Sequence, residues 1–107
     1  MLVRIPSASL HGIEAYQVEV EVDISPGLPA FIIVGLPDAA VRESKERVRA
    51  ALRNCGFDFP AKKIIINLAP ASRKKEGSPF DLPVALGLLA FLGVVNRDSL
   101  ESFLFVG

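Results

Sequence analysis

The chain has no tryptophan and only one each of tyrosine, methionine, histidine (His11) and cysteine (Cys55) among its 107 residues. A lone cysteine excludes an intramolecular disulfide. With a lone histidine it also excludes a structural zinc centre of Cys and His, so no metal site is expected. A single thiol fits a reducing compartment. There is no excess of one charge sign: 12 basic residues face 12 acidic ones, which excludes a strongly basic domain of the histone kind. Long apolar runs are missing as well. The uncharged stretch 82–95 carries Pro83, Gly87 and Gly93 and falls short of the ~20 residues a bilayer core requires. The first residues lack the basic-then-apolar order of a signal peptide. The chain is expected to be soluble and cytoplasmic, with no membrane partner.

The short motifs that announce chemistry are also absent. There is no Gly-x4-Gly-Lys-[Ser/Thr] phosphate loop, no Gly-x-Gly-x-x-Gly, no His-Glu-x-x-His and no EF-hand loop. Nothing around His11 supports a Ser-His-Asp set. No complete catalytic set and no cofactor are expected within these residues.

Half of the residues are hydrophobic, enough for a core, and the length suits one domain. Residues 2–10 read as a strand and Gly12 as a turn. Val18, Val20, Val22 and Ile24 alternate with Glu19, Glu21 and Asp23. This period of two puts the aliphatic side chains on one face of a strand and the carboxylates in water. Ser25 to Pro29 form a turn by composition. Residues 30–34 are apolar throughout, which predicts a strand covered on both faces.

Asp38 is a candidate N-cap for a helix over about 39–54, ended by Gly56. Val41, Ser44, Val48, Ala51, Leu52 and Cys55 fall at three- and four-residue spacing as one buried stripe. Cys55 is read as core filler. Ile64, Ile65, Ile66 and Leu68 predict a second strand of the buried type. A polar loop over 69–79 follows, then an apolar helix over about 82–92 capped by Asp81, and a last strand over 102–106. The order β-β-β-α-β-α-β predicts an α+β fold: a two-layer mixed β-sheet with two helices packed on it.

Charge is unevenly spread along the chain. Residues 39–75 hold Arg42, Lys45, Arg47, Arg49, Arg53, Lys62, Lys63, Arg73, Lys74 and Lys75 against three acids, and both flanks are acidic. This segment fits a phosphate-binding face, a solvated helix surface or one side of a subunit contact. The loop Lys74-Lys75-Glu76-Gly77-Ser78-Pro79-Phe80-Asp81 places Gly and Ser just before a helix N-terminus. That arrangement suits an anion or an activated hydroxyl as well as a plain turn with a cap.

Four stretches carry a longer resemblance: Gly27-Leu28-Pro29-Ala30-Phe31; Ile33-Val34-Gly35-Leu36-Pro37-Asp38-Ala39-Ala40-Val41 with Glu43-Ser44 and Arg47-Val48; Gly56-Phe57-Asp58-Phe59-Pro60 with Asn67-Leu68-Ala69-Pro70-Ala71; and Lys75-Glu76-Gly77 with Phe80-Asp81-Leu82-Pro83. Together they resemble the N-terminal domain of the ComM/YifB family of magnesium-chelatase-like AAA+ proteins, across residues 1–107. The resemblance implies a fold like the C-terminal domain of Lon protease, with a βαβ crossover of the left-handed kind, an exception to the usual hand. It implies that residues 1–107 are one domain truncated at its C-terminal end. An AAA+ ATPase module, with its ATP and Mg, is then expected beyond them.

The resemblance further implies a hexameric ring and a DNA helicase acting in branch migration during DNA uptake in competence. This domain would be a non-catalytic module for ring assembly or DNA guidance. The candidate DNA contacts are Arg42, Lys45, Arg49, Arg53, Lys62, Lys63, Arg73, Lys74 and Lys75. The remaining alternatives are an oligomerisation or adaptor module and a Lon-like serine hydrolase.

The hydrolase reading rests on a degenerate loop, Gly77-Ser78-Pro79. Lon-type domains read Asp-Gly-Pro-Ser-Ala-Gly, and here Pro79 stands at the nucleophile position with Ser78 one residue early. Such a slip displaces the hydroxyl beyond the ~2.6–3.2 Å needed for a Ser–Lys dyad. A fluorophosphonate probe is therefore expected to leave the chain unlabelled; labelling that disappears in Ser78→Ala would establish the hydrolase instead.

Overall fold

The alternating segment forms the middle of the molecule. In a computed structural model, which describes residues 1–11, 14–71, 74–75, 79–101 and 105–106, it lies within β2 (Glu14–Ser25). Val18, Val20, Val22 and Ile24 are completely or almost completely buried. β2 pairs antiparallel with β1 (Leu2–His11) on one side and with β4 (Lys63–Ala69) on the other. β3 (Ala30–Val34) pairs parallel with β4, and β5 (Phe105–Val106) pairs parallel with β1. The five-stranded mixed sheet has the order β3-β4-β2-β1-β5.

Register carries the alternation from strand to strand. Val20 stands opposite Leu68 and Ile5, and Val22 opposite Ile66 and Val3. All of these are buried on one face. On the other face Arg4 lies 3.3 Å from Glu19 and 3.2 Å from Glu21, across the β1–β2 pair. These are exposed pairs of small energetic value.

The helices cover the buried face. α1 (Ala39–Arg42) and α2 (Ser44–Asn54) connect β3 to its parallel neighbour β4, forming the predicted βαβ unit. α3 (Asp81–Phe91) lies over β1 and β2. Its Gly87 sits so close to Val22 that a Cβ there would stand 2.7 Å from a Val22 methyl. Val41, Val48, Leu52, Phe80, Val84 and Leu88 join the sheet residues in one core. The α+β class and the layering agree with the sequence reading.

Several details differ from it. β3 is an edge strand and is not covered on both faces: Phe31 and Ile33 pack on the core, while Ile32 and Val34 are each 45% exposed. The helices occupy only one side of the sheet, so the alternate residues of an all-apolar strand meet solvent. For the same reason Ile64, Ile66 and Leu68 are buried on β4 while Asn67 is exposed.

The helix read over 39–54 is broken at Glu43, whose ψ of −2° tightens the turn between α1 and α2. Ala51 and Cys55 are exposed. Cys55 is not core filler, because it sits past the last helical residue as the chain turns away. Asp81 does not cap α3. It is the first helical residue, Phe80 holds the cap position, and its carboxylate is engaged by Arg47. α4 (Arg97–Glu101) lies ahead of β5 and was not anticipated. Its cue is Asn96, whose Oδ1 accepts from the Asp98 and Ser99 amides as an N-cap does. The expected turn at Gly12 and residues 102–104 of the last strand lie outside the described residues.

Asp38 does cap α1, accepting from the Val41 amide at 2.8 Å. Gly56 follows α2 at φ +86°, with open space around it. Gly35, at φ +112°, is more constrained: a Cβ would lie 2.1 Å from the Leu68 carbonyl oxygen. Gly35→Ala is therefore expected to cost about 2–5 kcal/mol, from left-handed strain plus backbone overlap, whereas Gly56→Ala should cost only ~1–2 kcal/mol. Urea unfolding of the two variants tests the difference, and equal losses would contradict this account of Gly35.

Candidate nucleic-acid interface

Helical geometry sorts the basic segment into stripes. Val41, Ser44, Val48 and Leu52 are buried. Successive helical residues are displaced by ~100°, so the positions one residue further along form a second stripe beside the buried one. Those positions are Arg42, Lys45, Arg49 and Arg53. Arg42 and Arg53 are exposed, and Lys45 and Arg49 half-buried. The opposite flank of the buried stripe carries Arg47, which turns toward α3. Its Nε lies 2.5 Å and its Nη2 3.1 Å from the two Asp81 carboxylate oxygens. Nη2 also donates to the Ala40 carbonyl. The hydrogen bond with Asp81 raises the Arg47 pKa above its usual value, against the opposing effect of desolvation. Arg47 is thus a clamp between helices, and the stripe 42, 45, 49, 53 is what remains for a ligand.

The segment after α2 builds the other wall. Phe57 donates its amide to the Leu52 carbonyl at 2.9 Å, and residues 57–62 then lead to the start of β4. This places Phe59 beside Phe31 of β3, with ring centroids 5.9 Å apart and planes inclined at 47°. The Arg49 guanidinium lies 5.1 Å above the Phe59 ring, within cation–π range. Lys45, Arg49 and Lys62 surround these rings in a groove of about 180 Å³. An adjoining hollow of about 300 Å³ extends it past Ile32 to Arg42. No acidic residue lines either space. Among the described residues, none of these four cations is in an ion pair.

The other predicted contacts are placed elsewhere. Lys63 is exposed at the first position of β4, opposite Ala30. Lys74 is exposed beyond the far end of β3, and its carbonyl accepts from the Tyr16 hydroxyl at 2.9 Å. Arg73, Gly77 and Ser78 lie outside the described residues; Pro79 is half-buried just before Phe80.

Lys75 is not a surface cation, contrary to the sequence reading. Its side chain has no exposed surface. Its amide donates to Leu36 and its carbonyl accepts from Asp38, bridging the chain at Pro37. Nζ is directed inward onto the Pro70 carbonyl. The two backbone bonds draw residue 75 into the fold, and the side chain follows. Phe31 and Phe59 stand in the sequence only as parts of the family motifs and not among the candidate contacts. The signal that could have found the groove is the Arg42, Lys45, Arg49 spacing, which repeats the buried stripe one residue later.

Burial pushes the Lys75 ammonium below its usual pKa. Between that lowered value and the ~10.4 of an unfolded lysine, the unfolded chain holds a proton that the folded chain has released. Stability must then rise with pH through this window. The wild-type free energy of unfolding, relative to that of Lys75→Met, is expected to climb as the pH rises toward the ~10.4 of an unfolded lysine. Urea titrations across that range would show it, and a constant difference would contradict the burial account.

The chain is similar to known proteins along nearly its whole length. The family model described as subunit ChlI of Mg-chelatase matches residues 20–107. The protein YifB of Salmonella typhimurium is 49% identical over 96 residues, covering 90% of this chain and 19% of the relative. The competence protein ComM of Haemophilus influenzae is 46% identical over 105 residues, covering 98% of this chain and 21% of the relative. A Mycobacterium bovis protein is 41% identical over 106 residues, covering 99% of this chain and 21% of the relative. The chain thus spans about a fifth of the length of the curated relatives it matches. Among the described residues no helix is long and apolar enough to cross a membrane, and no group of His, Cys, Asp and Glu could hold a metal ion. On the family-model match and the identities to YifB and ComM, the chain belongs to the ComM/YifB branch of the Mg-chelatase ChlI-like family.

Proposed function

We propose that this chain is a non-catalytic DNA-guiding module of a longer ComM-like AAA+ ATPase. In this reading ATP and Mg bind in sequence beyond these residues, the full-length copies assemble as a ring, and the motor acts on branched DNA in the cytoplasm. The observation that carries the DNA role is the uncompensated cation set Arg42, Lys45, Arg49 and Lys62 along the β3 edge. Among the described residues, no acidic side chain lines the groove to neutralise it. A polyanion supplies that neutralisation and releases its counterions on binding. The Haemophilus influenzae relative is named a competence protein, which is consistent with this reading.

The test is binding of the chain to single- and double-stranded DNA across a salt series. Affinity should fall with a log–log slope of about −0.7 to −0.9 per phosphate neutralised. Lys45→Gln and Lys62→Gln should each reduce the slope by about 1. Absence of binding at low salt, or a slope untouched by both substitutions, would overturn the DNA role.

A further inference from the structure

The groove contains more than a phosphate-binding face requires. Phosphate contacts need cations and amide donors, and aromatic rings add nothing to them. Here the floor between the cations is Phe31 and the Phe59 ring with the Arg49 guanidinium over its face, both rings being packed against the core from below. Their positions are held. Phe31 lies on β3, paired with Ile64, and Phe59 is braced by Phe31 at 5.9 Å and by Arg49 at 5.1 Å. A groove of about 180 Å³ has room for one flat ring system. Lys45 and Arg49 stand one helical turn apart, about 6 Å along the axis, with Lys62 on the other wall.

We propose that this groove is a clamp for an unpaired nucleotide. One base stacks on the Arg49 guanidinium that lies over Phe59, beside Phe31, and the flanking phosphates lie on Lys45 and Lys62. The inference rests on the DNA-guiding reading and narrows it. A paired base keeps both faces inside the duplex stack and cannot reach this platform, so only a single strand uses the whole site. An acidic peptide would satisfy the cations, but the two phenylalanines would then have no planar ligand of matching shape.

The test compares three fluorescein-labelled oligonucleotides of equal length on the same chain: a mixed-sequence single strand, the corresponding duplex, and an abasic strand that keeps the phosphates and lacks the bases. The single strand is expected to bind about five- to 160-fold more tightly than the abasic strand, the span that corresponds to one stacked base. Phe59→Leu, which keeps the core contact, should remove most of that advantage while leaving duplex affinity and the thermal unfolding midpoint in place. If the abasic strand and the duplex bind as well as the single strand, the clamp is overturned and the phosphate reading survives. If none of the three binds at low salt, both readings fail. Equal or tighter binding of a poly-glutamate peptide would also overturn the clamp. The oligonucleotide comparison on the unmodified chain decides the matter even if Phe59→Leu does not fold.

Discussion

One covered face of a five-stranded sheet is the constraint on which the other features depend. Val18, Val20, Val22 and Ile24 supply its centre, and pairing on both sides of β2 extends that face to Ile5 and Val3 on one flank and to Ile64, Ile66 and Leu68 on the other. Each buried aliphatic side chain stabilises the fold by about 1.5–3 kcal/mol relative to exposure. The register is correspondingly firm, because a one-residue slip would carry the whole set into water. α2 and α3 bury their apolar residues on that face. Their placement then decides which flank of α2 looks toward α3 and which toward β3.

The separation of charges on α2 follows directly. Arg47 on one flank meets Asp81 at the start of α3 and is consumed in tying two helices together. Lys45 and Arg49 on the other flank overhang the β3 edge, in a groove that they line with Phe31, Phe59 and Lys62. Three arginines and a lysine within eight residues of sequence (Arg42, Lys45, Arg47, Arg49) therefore acquire two distinct roles. The difference comes from where the helix sits and not from the residues themselves.

The edge position of β3 has the same origin. A two-layer sheet must end somewhere, and the parallel β3–β4 pair with its helical crossover leaves β3 outermost. Ile32 and Val34 are exposed as a result, while Phe31 and Ile33 face the core. Leu36, at φ +56°, and Gly35 then turn the chain sharply into the Pro37–Lys75 bridge. Lys75 is buried as part of that bridge. The polar loop of the sequence thus contributes one of the largest fully buried side chains of the core.

Local pattern alone was enough to read the strand over 17–24, the Asp38 cap, the end of the following helix at Gly56 and the family to which the chain belongs. Each of these depends on neighbours within a few residues or on the order of residues itself. Tertiary structure alone decided that β3 is an edge and that Asp81 serves Arg47, 34 residues away. It also decided that Cys55 is outside the core, that Lys75 is inside it, and that Phe31 and Phe59 meet beneath Arg49. The physical reason is common to all five. A side chain's periodicity says which way it points, but whether protein or water lies in that direction depends on elements distant in sequence.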